Sequence, residues 1–475
     1  MKKILILLSI VTCVVWIYAC KHATSTSFKN YYCGVGSADT ICSDLPVEVI
    51  EPILHDQGYT TDFMNFTDSA TSADSLKQTP LDLYSWQTFL ALNWPSDAQG
   101  KPKGSIYNDN LSAMRIWEHY RDPLEVFGYV DHPLFLHLNA AKQGDNKFLY
   151  MTSKSPRNLL EKLPIGSFDE ADGLPLVDRN MNFTLFEIKM NHVEDTFITN
   201  NNLISVDGIY KYTQTGFQLP ASDTLTNAPG MMEIKAAWRI LTSSDDPTLF
   251  YCRNAVIYVD SLHTVNHKAL LIPNVKVGLV GMHIIRHTAL TGSNLIWSSF
   301  EHVNNDPDSL AVVDTSIKWS YYNPACTACT VNTAPPHVAG DGGRYLWQIT
   351  QPYAGYYSAA MNGSGTQVKR VNKIFKYTDS VNHKFRTKMA GTVWANYKLI
   401  GSQWMIGGEG PKTTAAPPLL ANTVQETYIQ ASASCIGCHS FASVTFTPAD
   451  PSKQPINIST GMSFIFSASA HPQKK

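Results

Sequence analysis

A chain of 475 residues, 44% apolar and 11% aromatic, has ordinary globular composition and excludes collagen-like, coiled-coil and intrinsically disordered classes. At about 150 residues per domain the length predicts roughly three domains or two large ones. Its charged fraction of 16% is low against the usual ~25% and suits an exported, strand-rich protein; the net charge is −2, and no block of basic residues offers the cationic face that phosphate contacts need, so nucleic acid is excluded as a partner.

The chain opens on Lys2 and Lys3, then an apolar run from Ile4 to Ile17, then Tyr18-Ala19-Cys20. A charged start, a short apolar stretch and a small residue before the cut describe a secretory signal. Ile17-Tyr18-Ala19-Cys20 resembles a bacterial lipobox. The resemblance implies removal of residues 1–19, lipidation of Cys20 and a lipid anchor in the cell envelope, periplasmic or on the outer membrane. An uncleaved anchor helix and plain secretion are the alternatives, although the run is short of the ~20 residues that span a bilayer. All three place the body outside the cytoplasm.

Residues 20–27 read as a polar tether and 28–145 as a mixed N-terminal lobe. In this lobe Cys33 and Cys42 are candidates for a local disulfide, the state an oxidising compartment favours. Leu81 to Asn93 carries apolar residues at helical spacing and is stopped by Trp94-Pro95; Ala113 to His119 is a second short helix. Residues 146–420 form a β-rich body. Its expected strands are Lys147–Tyr150, Phe183–Met190, Ala236–Leu241, Leu249–Asp260, Lys276–Ile285 and Leu295–Val303, then Tyr345–Ile349, Val368–Tyr377 and Val393–Ile400 after a long loop over 324–345. A helix is expected from Ala421 to Gln430, within a C-terminal segment 421–475. The fold class is therefore α+β: a predominantly β body, a mixed N-terminal lobe and a short helical C-terminal segment.

That last segment contains Cys435-Ile436-Gly437-Cys438-His439, the C-x-x-C-H pattern of c-type haem attachment. Two thiols three positions apart reach the two vinyl groups of a haem, and the adjacent His supplies the proximal nitrogen. Two rivals stand beside this reading. Cys326-Thr327-Ala328-Cys329 is a second C-x-x-C, so two such pairs could make a four-cysteine zinc site; either pair could also be a redox dithiol. Neither rival needs His439. Over these five residues, with the export signal, the chain resembles bacterial c-type cytochromes. The resemblance implies haem c held by Cys435 and Cys438, His439 as iron ligand, and a redox partner protein or small-molecule electron donor or acceptor.

Only 36 residues follow His439, too few for a small cytochrome domain after the motif, so the haem is expected to pack on the preceding body, an arrangement similar to that of cytochrome P460. Met462, in a stretch that reads as a buried strand, is either a core residue or a sixth iron ligand. If the turn Thr291–Asn294 joins two strands symmetrically, His283 and His302 face each other across them and form a metal-binding or distal acid–base pair; the alternative is two hydrogen-bonded core histidines. Met282, His287 and Glu301 lie in the same run. Lys235 and Arg239 either pair a haem propionate or make structural ion pairs. Trp86, Trp94, Trp117, Trp297 and Trp404 either line a haem pocket or fill the core. The leading expectation is an electron-transferring monohaem lipoprotein. A haem oxidoreductase with an open iron position acting on peroxide, a nitrogen oxide or an organic substrate is the alternative, as is a binding or structural lipoprotein with a C-terminal zinc or haem site.

Overall fold

The computed structural model describes residues 41–46, 72–108, 111–127, 133–144, 146–151, 173–214, 216–223, 226, 228–288, 294–308, 312–406 and 414–470. The signal segment, Cys20, the tether and Cys33 lie outside them. Cys42 is disulfide-bonded.

In chain order the elements are α1 (Ser72–Leu92), α2 (Pro123–Val126), α3 (Pro133–Gln143), β1 (Lys147–Met151), β2 (Leu185–Met190), α4 (His192–Asn200), α5 (Val206–Thr213), β3 (Met232–Ile240), β4 (Cys252–Val259), β5 (Leu270–Thr288), β6 (Asn294–His302), α6 (Lys376–Lys388), β7 (Tyr397–Ile406), β8 (Thr414–Ala416), α7 (Cys435–His439), β9 (Ser443–Phe446) and β10 (Ile456–Ser459). Eight strands make one mixed sheet, with β9 and β10 as a separate hairpin. The α+β class with a dominant β body holds.

β5 is the spine. Its residues from Val277 to Thr288 are buried almost without a break, which a strand needs when both faces are covered. Val277 pairs with Ile240 of β3 and with Arg253 of β4, while residues 281–288 pair with β6. One face of this sheet receives α1 and α6: Phe89 stacks on Phe300 with ring centroids 4.2 Å apart, and Trp86 stacks on Phe385 at 5.2 Å. The N-terminal lobe thus contributes a layer of the body. Helix α1 stops at Leu92, where the Asn93 side chain donates to the Phe89 carbonyl and Pro95 follows.

The other face receives the C-terminal part of the chain. Gly281 makes this approach possible, because a Cβ there would lie 2.6 Å from Val424 Cγ2. Asn422 donates to the Phe300 carbonyl at 3.0 Å, and the Thr423 amide donates to Glu301 Oε1 at 2.6 Å. The expected helix over 421–430 is instead a series of turns. Asn422 and Thr423 spend their donors on the sheet, and this tertiary bonding overrides the local helical preference.

Three other expectations are corrected. Val368–Tyr377 is irregular and runs into α6, whose buried stripe of Thr378, Val381, Asn382 and Phe385 has helical spacing. Tyr345–Ile349 makes one isolated bridge, Trp347 to Thr264. Met462–Phe466 is a tight turn, with Met462 at φ 69°, leading into the 3-10 helix Phe464–Ala470.

Candidate functional site

Helix α7 is a single turn that places Cys435, Cys438 and His439 together. Ser434 caps it, accepting from the Gly437 amide at 3.1 Å, and the Ile436 amide donates to Gln403 Oε1 of β7 at 3.0 Å. The motif is thereby fixed to the sheet through a buried Ile436. Both thiols are free; Cys435 is half-buried and Cys438 exposed. Burial, joined by the nearby Glu426 carboxylate, pushes both thiols above the ordinary cysteine range. They stay protonated at neutral pH, whereas dithiol exchange starts from a thiolate. The four-cysteine zinc site is excluded by connectivity, because Cys326 and Cys329 are joined to each other in a disulfide. Cys252 carries a free thiol.

His439 Nδ1 lies 2.7 Å from the Met462 carbonyl oxygen. A carbonyl only accepts, so Nδ1 donates and Nε2 carries the lone pair, directed away from that turn. This is the arrangement that orients a metal-bound imidazole. Burial depresses the ring's pKa to about 4, so it is neutral at pH 7. Edge contacts from Phe464 and Trp297, with centroids 5.1 Å and 5.5 Å away, hold the ring plane. Trp297 Nε1 is buried with no hydrogen-bond partner. Phe441 is 80% exposed and Phe464 44%, apolar surface immediately beside the thiols and the imidazole. Two free thiols, a neutral oriented imidazole, an orphaned indole donor and exposed rings fit a haem. Among the described residues no group of three or more His, Cys, Asp and Glu side chains is arranged to hold a metal ion by itself.

Met462 does not fit the role of sixth ligand. Its carbonyl occupies the Nδ1 side of His439, so the imidazole stands between that turn and anything bound to Nε2, and its side chain belongs to the apolar cluster of Ile436, Ile465 and Phe466. The opposed pair of histidines is also corrected. His283 pairs with Ser299, and Gly281 with Glu301, a register three residues away from the symmetric one. His302 stacks on Phe250 at 4.2 Å and lies 2.9 Å by Nε2 from the Leu249 carbonyl; burial drives its pKa down to about 3. It is a core histidine.

His283 does reach the site. It lies on the face that receives the C-terminal segment, with Nε2 3.5 Å from Glu426 Oε2 and no hydrogen-bond partner, in register with Lys235 of β3. Burial raises the Glu426 carboxyl, but His283, the Asn422 amide and Lys235 together outweigh it and leave Glu426 below its ordinary value. Sequence reasoning missed Glu426 and Gln403, which belong to the site through turns and sheet register. Lys235 Nζ sits over the Phe186 ring at 4.9 Å. Arg239 pairs with Asp178 at 2.7 Å and Asp245 at 2.9 Å, the structural alternative. His287 bonds the Leu219 carbonyl, Glu301 pairs with Arg370, and Met282 lies in the core on the α1 side. Of the tryptophans, Trp297 touches the site; Trp86, Trp94 and Trp117 belong to the main core, and Trp404 is fully buried in β7.

No protein-family model, curated protein or solved structure matches this chain.

Proposed function

We propose that this chain is an exported monohaem c-type cytochrome, anchored in the cell envelope through a lipid on Cys20, that transfers electrons to or from a redox partner protein or small molecule. The observation that carries the reading is the His439 Nδ1 hydrogen bond to the Met462 carbonyl within a C-x-x-C-H turn. That bond fixes the tautomer and aims Nε2, burial keeps the ring neutral, and Cys435 and Cys438 flank it on one helical turn. When bound, the haem would supply one-electron chemistry at its iron. The chain's part would be to hold that group through the Cys435 and Cys438 thiols and the His439 Nε2, with the exposed Phe441 and Phe464 rings as apolar cover.

The test is the visible spectrum of protein expressed with its signal in a host that matures c-type haem. Sharp reduced α and β bands that persist after denaturation are expected, and are lost in the Cys435→Ala/Cys438→Ala double variant. An absence of haem in the wild-type protein refutes the proposal. A second reading, a haem oxidoreductase with an open iron position, is favoured by the place of Met462 on the Nδ1 side of the imidazole. Broad high-spin bands at rest and ready binding of cyanide would select it over the carrier.

A further inference from the structure

Away from the C-x-x-C-H turn, on the sheet face that carries α1, a cavity of about 190 Å³ lies among α3, β1, β2, β4 and the 3-10 turn Ile116–His119. Its wall carries four cationic side chains, Lys142, Lys147, Lys189 and Arg253, against two carboxylates, Glu118 and Glu187. Glu118 is already committed: it accepts from the Tyr251 hydroxyl at 2.7 Å and the Arg115 amide at 2.8 Å, and it pairs with Lys147 at 2.9 Å. Lys147 also bonds Glu187 Oε1 at 2.7 Å and sits over the Trp117 and Trp238 rings. Lys142 is paired with Glu125 at 2.6 Å.

Lys189 differs from these. Its side chain is 7% exposed, yet its closest carboxylate oxygens are Asp122 Oδ2 at 3.8 Å and Glu187 Oε2 at 3.9 Å, beyond hydrogen-bond reach. Burial favours the neutral amine, but Asp122, Glu187, Glu125 and Glu118 outweigh it and keep the ammonium charged. The ammonium faces the cavity with three donors and, among the described residues, no protein acceptor within hydrogen-bond distance, so it takes its acceptor from whatever fills that space. The remaining wall is mixed, with Met114, Leu138 and Phe148 as its apolar part and His119 and Asn146 as its polar part.

We propose that this cavity binds a small organic monocarboxylate, its carboxylate on the Lys189 ammonium and its apolar stem against Leu138 and Phe148. The space suffices, since cavities of about 150 Å³ take up benzene. A more highly charged anion such as phosphate is disfavoured by Asp122 and Glu187, which stand behind the same ammonium. Lys142, with a side chain 39% exposed, provides the opening to solvent.

Calorimetric titration of the full-length protein with benzoate, butyrate, benzyl alcohol and inorganic phosphate tests this. Saturable binding of benzoate is expected, with benzyl alcohol and phosphate weaker by about tenfold or more, as loss of a charge-assisted hydrogen bond or added like-charge repulsion requires. Lys189→Met is expected to lose benzoate binding. Met114→Trp, which fills the cavity from a partly exposed position and removes no charge, is expected to block it too, and circular dichroism establishes that each variant is folded. Benzoate binding no tighter than that of benzyl alcohol, tighter binding of phosphate, unchanged affinity in folded Lys189→Met or Met114→Trp, or no saturable heat with any probe would each overturn the assignment; the last identifies the occupant as water.

Discussion

Two histidines show how similar burial serves different ends. His302 and His439 are both held neutral, the first near pKa 3 and the second near 4. His302 spends Nε2 on a core carbonyl, whereas His439 spends Nδ1 and keeps Nε2 for a ligand. A histidine whose folded pKa lies below its unfolded value of 6.5 contributes stability in full above 6.5 and loses it as pH falls toward the folded pKa. The buried Asp82, Asp178 and Asp306 carboxyls, raised to about 6, act in the opposite sense over the same range, so the His302 contribution is read as a difference: between pH 6.5 and 4 the wild type is expected to lose urea midpoint relative to His302→Gln, which can still donate to Leu249, and parallel profiles would contradict the assignment. Met462→Leu is expected to leave the visible spectrum of the haem-loaded protein unaltered, because the backbone carbonyl makes the contact. Loss of a low-spin spectrum in that variant would restore the sulfur as a ligand. The C-x-x-C-H turn was legible in the sequence because its chemistry is local. The His283–His302 pairing was not, because register depends on how the two strands meet, and a three-residue offset sends one histidine to the site and the other to the core.

Among elements, the strands of the β body were the most readable, since β1 to β6 are runs rich in aliphatic, aromatic or β-branched residues bounded by turn residues. The unread elements are those whose backbone is governed by distant partners. Residues 421–430 have helical composition, but Asn422, Thr423 and Glu426 use their polar groups to lock onto β6 and β5. This locking depends on the bare Gly281 facing Val424. Gly281→Val is expected to cost about 1–3 kcal/mol by overpacking, read as a lower urea midpoint, and to loosen the C-terminal segment selectively in hydrogen exchange. An unaltered exchange pattern would show that the segment is held elsewhere. On the opposite face, Trp86→Ala is expected to cost about 3–5 kcal/mol, as large-to-small changes of buried aromatics do, since Trp86 stacks on Phe385 and donates to Asn382.

At the scale of the whole molecule, one sheet runs from β1 to β8 and is covered on one face by α1 and α6 and on the other by the motif-bearing segment. The buried links across it span most of the described chain: Gln78 donates to the Ser402 carbonyl across 324 positions, and Ser85 meets Ser402 across 317. Such contacts cannot form until both ends of the sheet are present. Helix α1 has no docking surface of its own before then, and closing so long a loop precedes any gain from packing. The expected kinetic signature is slow refolding, in the range typical of chains dominated by non-local pairing, with α1 and β7 acquiring exchange protection in the same step. During synthesis, residues Leu83, Trp86, Phe89 and Leu90 emerge as an apolar stripe roughly two to three hundred positions ahead of β6, α6 and β7, so the stripe stays uncovered until those elements have followed it.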